Sequence, residues 1–427
     1  MRVAIIGAGI AGLGCSWLLA RQGRQVTLFE ANDYLGGHTN TIDVTLDGTT
    51  APVDTGFLVY NDRTYPKLVA LFDELGVAST PSTMTFSARN DATGIEWSGT
   101  DLRSLFAQPT NALRPAFWRM LLDVLRFNRE TTAMQLEGRV DAVTLGEFLD
   151  ARGYSTPFRE WYLLPMAAAI WSSSAREILA FPLPTLVRFC HLHGLLRISD
   201  RPQWRTVAGG GRDYVNRIAA KLSDVRCSTP VQRIRRYGDH VEVDTQALAA
   251  ERFDAIVLAC HSDQALALLA DASREESALL GSVRFQPNRI ALHTDTRLMP
   301  KSRRAWSAWN HIAIDDTARE RPVAVSYWLN ELQRLPFKTP LLCTLNPPFR
   351  PRADTILAEF EYTHPLVKTA AITAQQKFAH LQGQRNTWYA GAWLGYGFHE
   401  DGLASAHVVA QGIAARSAIA TAELAAA

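Results

Sequence analysis

The first thirty residues constrain the fold more than any other part of this 427-residue chain. Val3-Ala4-Ile5-Ile6 is an apolar strand, Gly7, Gly9 and Gly12 follow it, Ile10 to Arg21 reads as a helix, and Gln25-Val26-Thr27-Leu28-Phe29 is a second strand ending at Glu30. Strand, glycine-rich turn, helix, strand and acid in that order form a dinucleotide-binding unit. Gly7 allows the tight turn, Gly9 lets the backbone approach a pyrophosphate, and Gly12 lets the helix pack close to the sheet. The helix N-terminus offers unpaired N–H groups to the phosphates. Glu30 is placed to accept hydrogen bonds from ribose hydroxyls, and a carboxylate there disfavours a 2′-phosphate, which argues against NADP. The choice between NAD and FAD stays open on these residues alone.

Past Glu30, a second glycine pair, Gly36-Gly37, precedes His38, and Val53-Asp54-Thr55-Gly56-Phe57 is a strand-like stretch ending in a turn. Here the chain resembles the flavin amine oxidase and phytoene desaturase superfamily. Three distant segments extend the resemblance: Trp204 to Gly211 looks like the family's glycine loop, with Gly210 at its centre, Thr229-Pro230-Val231 like the strand beside the adenine, and Phe253 to Ala259 like the strand that follows. Trp388-Tyr389-Ala390-Gly391-Ala392-Trp393, with His399 to Ala406, is similar to the closing flavin motif, in which Gly402 and Leu403 match the backbone positions beside the flavin pyrimidine edge. A narrower similarity is to bacterial NAD/FAD-binding amine-oxidase-like proteins associated with fatty-acyl lipid modification. It rests on Gly36-Gly37-His38, Asp54 to Phe57, His193-Gly194-Leu195-Leu196 and Arg201-Pro202-Gln203-Trp204. Many amine oxidases carry arginine where this chain has His38.

The resemblance implies an α/β fold: a Rossmann-type FAD-binding domain (1–64, 197–283 and 363–427) with an interleaved α+β substrate domain (65–196 and 284–362). It also implies FAD, held non-covalently. His38 is a conceivable covalent attachment point, but its place beside Gly36-Gly37 points to the phosphate and ribityl region. No second strand-glycine-helix unit appears, so electrons are expected from substrate or a separate donor, without a second dinucleotide domain.

The first insertion reads as mostly helical. Ala112 to Phe127 mixes Phe117, Trp118, Leu121, Leu122 and Leu125 with Arg114, Arg119 and Arg126, which fits either a core-facing helix with solvated arginines or a basic amphipathic helix on an anionic membrane. The second insertion alternates, as in Val323 to Trp328, and reads as antiparallel strands roofing the flavin. Tryptophans such as Trp171, Trp204, Trp309 and Trp328 suit a hydrophobic substrate, and equally an ordinary core.

His191 and His193 are the candidate proton donors or acceptors, with a structural role as the alternative for each. Lys301 falls on the insertion that amine oxidases use for a flavin-facing lysine, yet Pro300, Arg303 and Arg304 make it read as a surface turn. Forty-four basic against 42 acidic residues give a net charge of +2, too little for a broad nucleic-acid-binding field. Five cysteines without a C-x-x-C pair predict neither a zinc site nor a disulfide framework. No metal is expected. The absence of a leader and of an apolar run of about eighteen residues predicts a cytoplasmic protein whose membrane contact, at the inner face, is at most peripheral. The sequence thus supports an FAD-dependent oxidase or desaturase of a hydrophobic, fatty-acyl type of substrate. An FAD-dependent isomerase or mutase without net redox, and a non-catalytic flavin-binding partner of a lipid-modifying enzyme, are the alternatives.

Overall fold

The computed structural model describes residues 1–197, 200–315 and 320–426, with side chains to 418. A five-stranded parallel sheet is its base, in the order Asp224–Arg226, Gln25–Phe29, Arg2–Ile6, Ala255–Leu258, Thr387–Tyr389. Strands buried on both faces need continuous apolar runs. Val3, Ala4, Ile5, Ile256, Val257 and Leu258 are all inaccessible to solvent. The expected helix spans Ile10–Arg21 and packs on the final helix, His399–Ala426. At Gly14 an added Cβ would lie 2.8 Å from Leu403 Cδ1, so this glycine sets how closely the two helices approach.

A second sheet has seven strands: Ile356–Leu366, Arg284–His293, Leu342–Leu345, Val325–Trp328, Trp309–Ala313, Phe86–Asn90 and Ile95–Ser98. Its last two strands come from the insertion expected to be mostly helical, and Phe86–Asn90 pairs parallel to Trp309–Ala313. This parallel pairing inside an otherwise antiparallel sheet stitches the two insertions together. The pairing registers place Phe86, Trp309, Tyr327, Cys343, Leu292 and Ala358 in one cross-strand row. On the same face, further along, are Gln286, Asn288, Tyr362 and His364. That face shares its core with the first insertion's helices and with the hairpin Thr41–Leu46/Thr49–Asp54. The opposite face carries a buried polar ladder: Ser87 Oγ donates to Asn310 Oδ1 (2.7 Å), Asn310 Nδ2 to the Ser326 carbonyl (3.0 Å), and Thr344 Oγ1 bonds both Ser326 Oγ and His293 Nε2 at 2.7 Å. With its partners in place, this ladder satisfies groups that would each cost about 1–3 kcal/mol if left unpaired.

No helix among the described residues is long and apolar enough to cross a membrane. Nor is there a group of three or more His, Cys, Asp or Glu side chains among them able to hold a metal ion.

Candidate functional site

The motif glycines converge at the carboxyl ends of the parallel strands, where doubly wound folds bind ligands. Gly7 adopts φ +100° and its N–H donates to the Phe29 carbonyl at 2.8 Å. An added Cβ at Gly12 would sit 1.8 Å from the Gly7 carbonyl oxygen, whereas one at Gly9 would meet nothing within 4 Å. Gly12 is therefore required by packing, and Gly9 by whatever approaches from the open side. The second glycine pair closes onto the first: Gly36 N–H donates to the Ala8 carbonyl at 2.9 Å, and an added Cβ at Gly37 would lie 3.2 Å from Gly9 Cα.

Buried Glu30 accepts from Ala8 N at 2.8 Å through one oxygen, and from Asn32 N (2.9 Å) and Nδ2 (3.0 Å) through the other. A carboxylate has about four acceptor sites, so one is left for a ribose hydroxyl. Thr229 N–H donates to the Glu30 carbonyl at 2.8 Å, which brings the segment leading to Val231 beside this acid. At the other end of the cradle Gly391 N–H donates to Ser405 Oγ (2.9 Å), whose hydroxyl donates to the Gly402 carbonyl (2.6 Å). An added Cβ at Gly402 would lie 2.8 Å from Ile10 Cγ2, and Leu403 is buried against Gly14. The two motif helices thus start side by side. His399 stacks on Phe57 at 3.7 Å, joining the final helix to the turn at Gly56, where an added Cβ would strike the His38 carbonyl oxygen at 2.2 Å.

Gly210 lies where the glycine loop packs on the segment that follows the second glycine pair. It has φ +86° and lies against Thr41 and Asp54, and the next N–H, of Gly211, donates to Asp54 Oδ1 at 2.9 Å. The glycine loop is thereby tied to the hairpin carboxylate. Burial pushes the Asp54 carboxyl up to about 6 against the hydrogen bonds from Thr41 and Gly211 that favour its ionised form.

His38 gathers a cluster that sequence reasoning did not assemble. Its ring centroid lies 5.2 Å from Tyr362, 5.4 Å from His364 and 6.2 Å from His261. His364 Nδ1 is 2.9 Å from Ser172 Oγ, and the Ser172 carbonyl accepts from Gln286 Nε2 at 2.8 Å. Tyr362 hydroxyl bonds Thr55 Oγ1 at 2.7 Å. Desolvation, then the neighbouring imidazoles, lowers His38 to about 3, and desolvation lowers His364 to about 4. These rings are neutral at physiological pH. The signal that could have found His364 is strand alternation: Tyr362 and His364 are two apart and so share a face.

His193 stacks on Phe189 at 3.9 Å, its Nδ1 lies 3.0 Å from the Phe189 carbonyl, and desolvation lowers it to about 4. It lines a cleft of about 210 Å³ with Ser82, Met84 and Trp204. His191 is partly buried in the last turn of the Leu183–Leu192 helix. Neither histidine joins the His38 cluster. Lys301 lies at the surface, its Nζ 2.9 Å from Asp91 Oδ1.

The donor set fits a dinucleotide with an aromatic ring system. The cradle is open at Gly9, Glu30 is at one end, and His38 Nε2, beside the second glycine pair, is a buried polar atom without a partner among the described residues. Comparison with known proteins agrees. Residues 10–340 match the family described as flavin containing amine oxidoreductase. The chain is 28% identical over 263 residues to the protein named flavin-containing monoamine oxidase AofH of Mycobacterium tuberculosis, covering 58% of this chain and 54% of that one. It is 29% identical over 299 residues to the carotenoid phi-ring synthase of Streptomyces griseus, covering 64% and 54%. The match spans about half the length of each relative. The crystal structure of a fatty acid isomerase from P. acnes that produces CLA superposes with a TM-score of 0.66 at 16% identity, covering 96% of this chain and 98% of that one, and so shares the fold. The chain belongs to the flavin containing amine oxidoreductase family, and FAD is its cofactor.

Proposed function

We propose that the protein is an FAD-dependent oxidoreductase that takes hydride from a hydrophobic, uncharged carbon chain, of the fatty-acyl lipid type, with FAD held non-covalently. The observation that carries this reading is the composition of the sheet face whose Tyr362 and His364 end meets His38 of the cradle. Phe86, Trp309, Tyr327, Cys343, Leu292 and Ala358 form its cross-strand row, and His311, Gln286, Asn288 and His364 are its polar members. No carboxylate on that face is available to hold an ammonium group, whereas aromatic and aliphatic walls favour an apolar chain and exclude water. The carotenoid and fatty-acid names of the relatives point in the same direction.

When bound, FAD supplies the hydride acceptor. The protein's own part is to orient and to handle a proton. His364, neutral and aligned by Ser172, is the group we assign to proton transfer. His38 and Tyr362 hold its side of the junction. His193, on the cleft wall, and His191, on the helix before it, belong in this reading to the substrate's entry path.

Anaerobic mixing of the FAD-loaded protein with monounsaturated acyl phospholipids and, separately, with primary amines tests the proposal. Bleaching of the flavin by the acyl lipid, with a product two mass units lighter, supports it. Bleaching by amines alone contradicts the substrate class, and an acyl product of unchanged mass identifies an isomerase instead.

A further inference from the structure

The long helix Pro115–Leu136 is turned against the usual pattern. A helix on a protein surface sends its apolar stripe inward and its polar stripe out. Here the buried positions are Phe117, Met120, Asp123, Phe127 and Thr131, two of them polar. Outward, Trp118, Leu122, Leu125 and Leu136 are 48%, 62%, 52% and 74% exposed. They lie on one line of the helix, at steps of three and four residues and their multiples. Leu102 and Leu113, just upstream, are 75% and 84% exposed. The expectation of a core-facing helix with solvated arginines is thus met only on its inner side.

The surroundings of this stripe are cationic, and Arg129, four residues after Leu125, lies on its line. Between residues 102 and 130 stand Arg103, Arg114, Arg119, Arg126 and Arg129 against Asp123 and Glu130; Arg119 pairs with buried Asp123, and Arg126 with Asp123 and Glu130, so the excess positive charge is that of Arg103, Arg114 and Arg129. Trp118 Nε1 donates to the Ala112 carbonyl at 2.9 Å, which satisfies its N–H and leaves an apolar ring at the surface.

We propose that this face docks on the surface of an anionic lipid bilayer, with the helix parallel to the membrane plane. The apolar stripe enters the acyl boundary while the guanidinium groups meet lipid phosphates. A second copy of the chain is disfavoured as occupant, because it would bring the same arginine rim against this one. The inference is independent of the substrate, and its test does not require turnover.

The test is co-sedimentation of the full FAD-loaded chain with vesicles of phosphatidylcholine, with and without phosphatidylglycerol, at low and high salt. Binding to the phosphatidylglycerol vesicles, weakened by salt, is expected. Leu122→Gln/Leu125→Gln should lower the bound fraction about tenfold at unchanged flavin content and melting temperature. Arg103→Glu/Arg129→Glu should remove the preference for phosphatidylglycerol. Equal absence of wild type and variants from both kinds of vesicle would overturn the proposal. So would a wild-type dimer in the absence of vesicles that Leu122→Gln/Leu125→Gln converts to a monomer.

Discussion

The imidazole of His38 lies 5.4 Å from that of His364, and the two come from different units of the fold. His38 follows the second glycine pair of the cradle, and His364 ends a row on the long Ile356–Leu366 strand. This contact places a neutral imidazole where the dinucleotide unit meets the sheet. In His364→Gln, flavin content and the absorbance spectrum should be retained, while anaerobic flavin reduction by substrate slows about 10²- to 10⁴-fold and loses its pH dependence. Ser172→Ala should slow the same step about tenfold. Unchanged reduction rates in both variants would remove His364 from the chemistry.

Gly9 and Gly12 separate cofactor binding from folding. Gly12→Ala drives a methyl into the Gly7 carbonyl and should destabilise the protein by about 1–3 kcal/mol or more even without FAD. Gly9 has φ −70°, open to alanine, and nothing within 4 Å of its added Cβ. Gly9→Ala should therefore leave the melting temperature of the FAD-free protein unchanged while weakening FAD about tenfold or more, measured by fluorescence titration.

Acid should unfold the protein cooperatively. His38 and His399 are lowered from 6.5 to about 3, and His193, His293, His311 and His364 to about 4, each chiefly by desolvation. Below pH 6.5 the unfolded chain binds protons that these folded rings refuse, so stability falls as pH drops from about 6.5 toward 4. Asp54 and Asp401, both raised to about 6 by burial, act in the opposite sense, but two groups do not offset six. A melting temperature that is flat or rising between pH 7 and pH 5 would contradict this balance.

Lys301, despite its position in the sequence, should be dispensable. Its exposed pairing with Asp91 is worth about 0–1 kcal/mol. Lys301→Ala should leave flavin binding and reduction by substrate unchanged, and stability within that range.

The cradle was legible because its parts are local: Gly7, Gly9, Gly12 and Glu30 lie within one strand-helix-strand unit, and the Ile10–Arg21 helix and Gln25–Phe29 strand have the expected bounds. What was not legible depended on long-range pairing. The parallel register of Phe86–Asn90 with Trp309–Ala313 joins segments more than two hundred residues apart, and no periodicity reports that. Gln286 and His364 meet through the register of Arg284–His293 with Ile356–Leu366, and Ser172 joins them from the end of the Leu164–Trp171 helix. Gly210 carried a motif's composition, but its contacts with Thr41 and Asp54 are set by the hairpin that folds beneath it. On the Pro115–Leu136 helix both stripes are rich in apolar residues, so the sequence alone did not decide which faces solvent.

The central claim, that this is a protein holding FAD non-covalently in the cradle of Gly9, Glu30 and Gly37, is tested most directly by the absorbance spectrum of the purified protein before and after acid precipitation, with mass analysis of what is released. The account predicts a yellow protein whose colour passes entirely into the supernatant as intact FAD. A colourless protein that takes up no added FAD, or a flavin that stays with the precipitate, would contradict it.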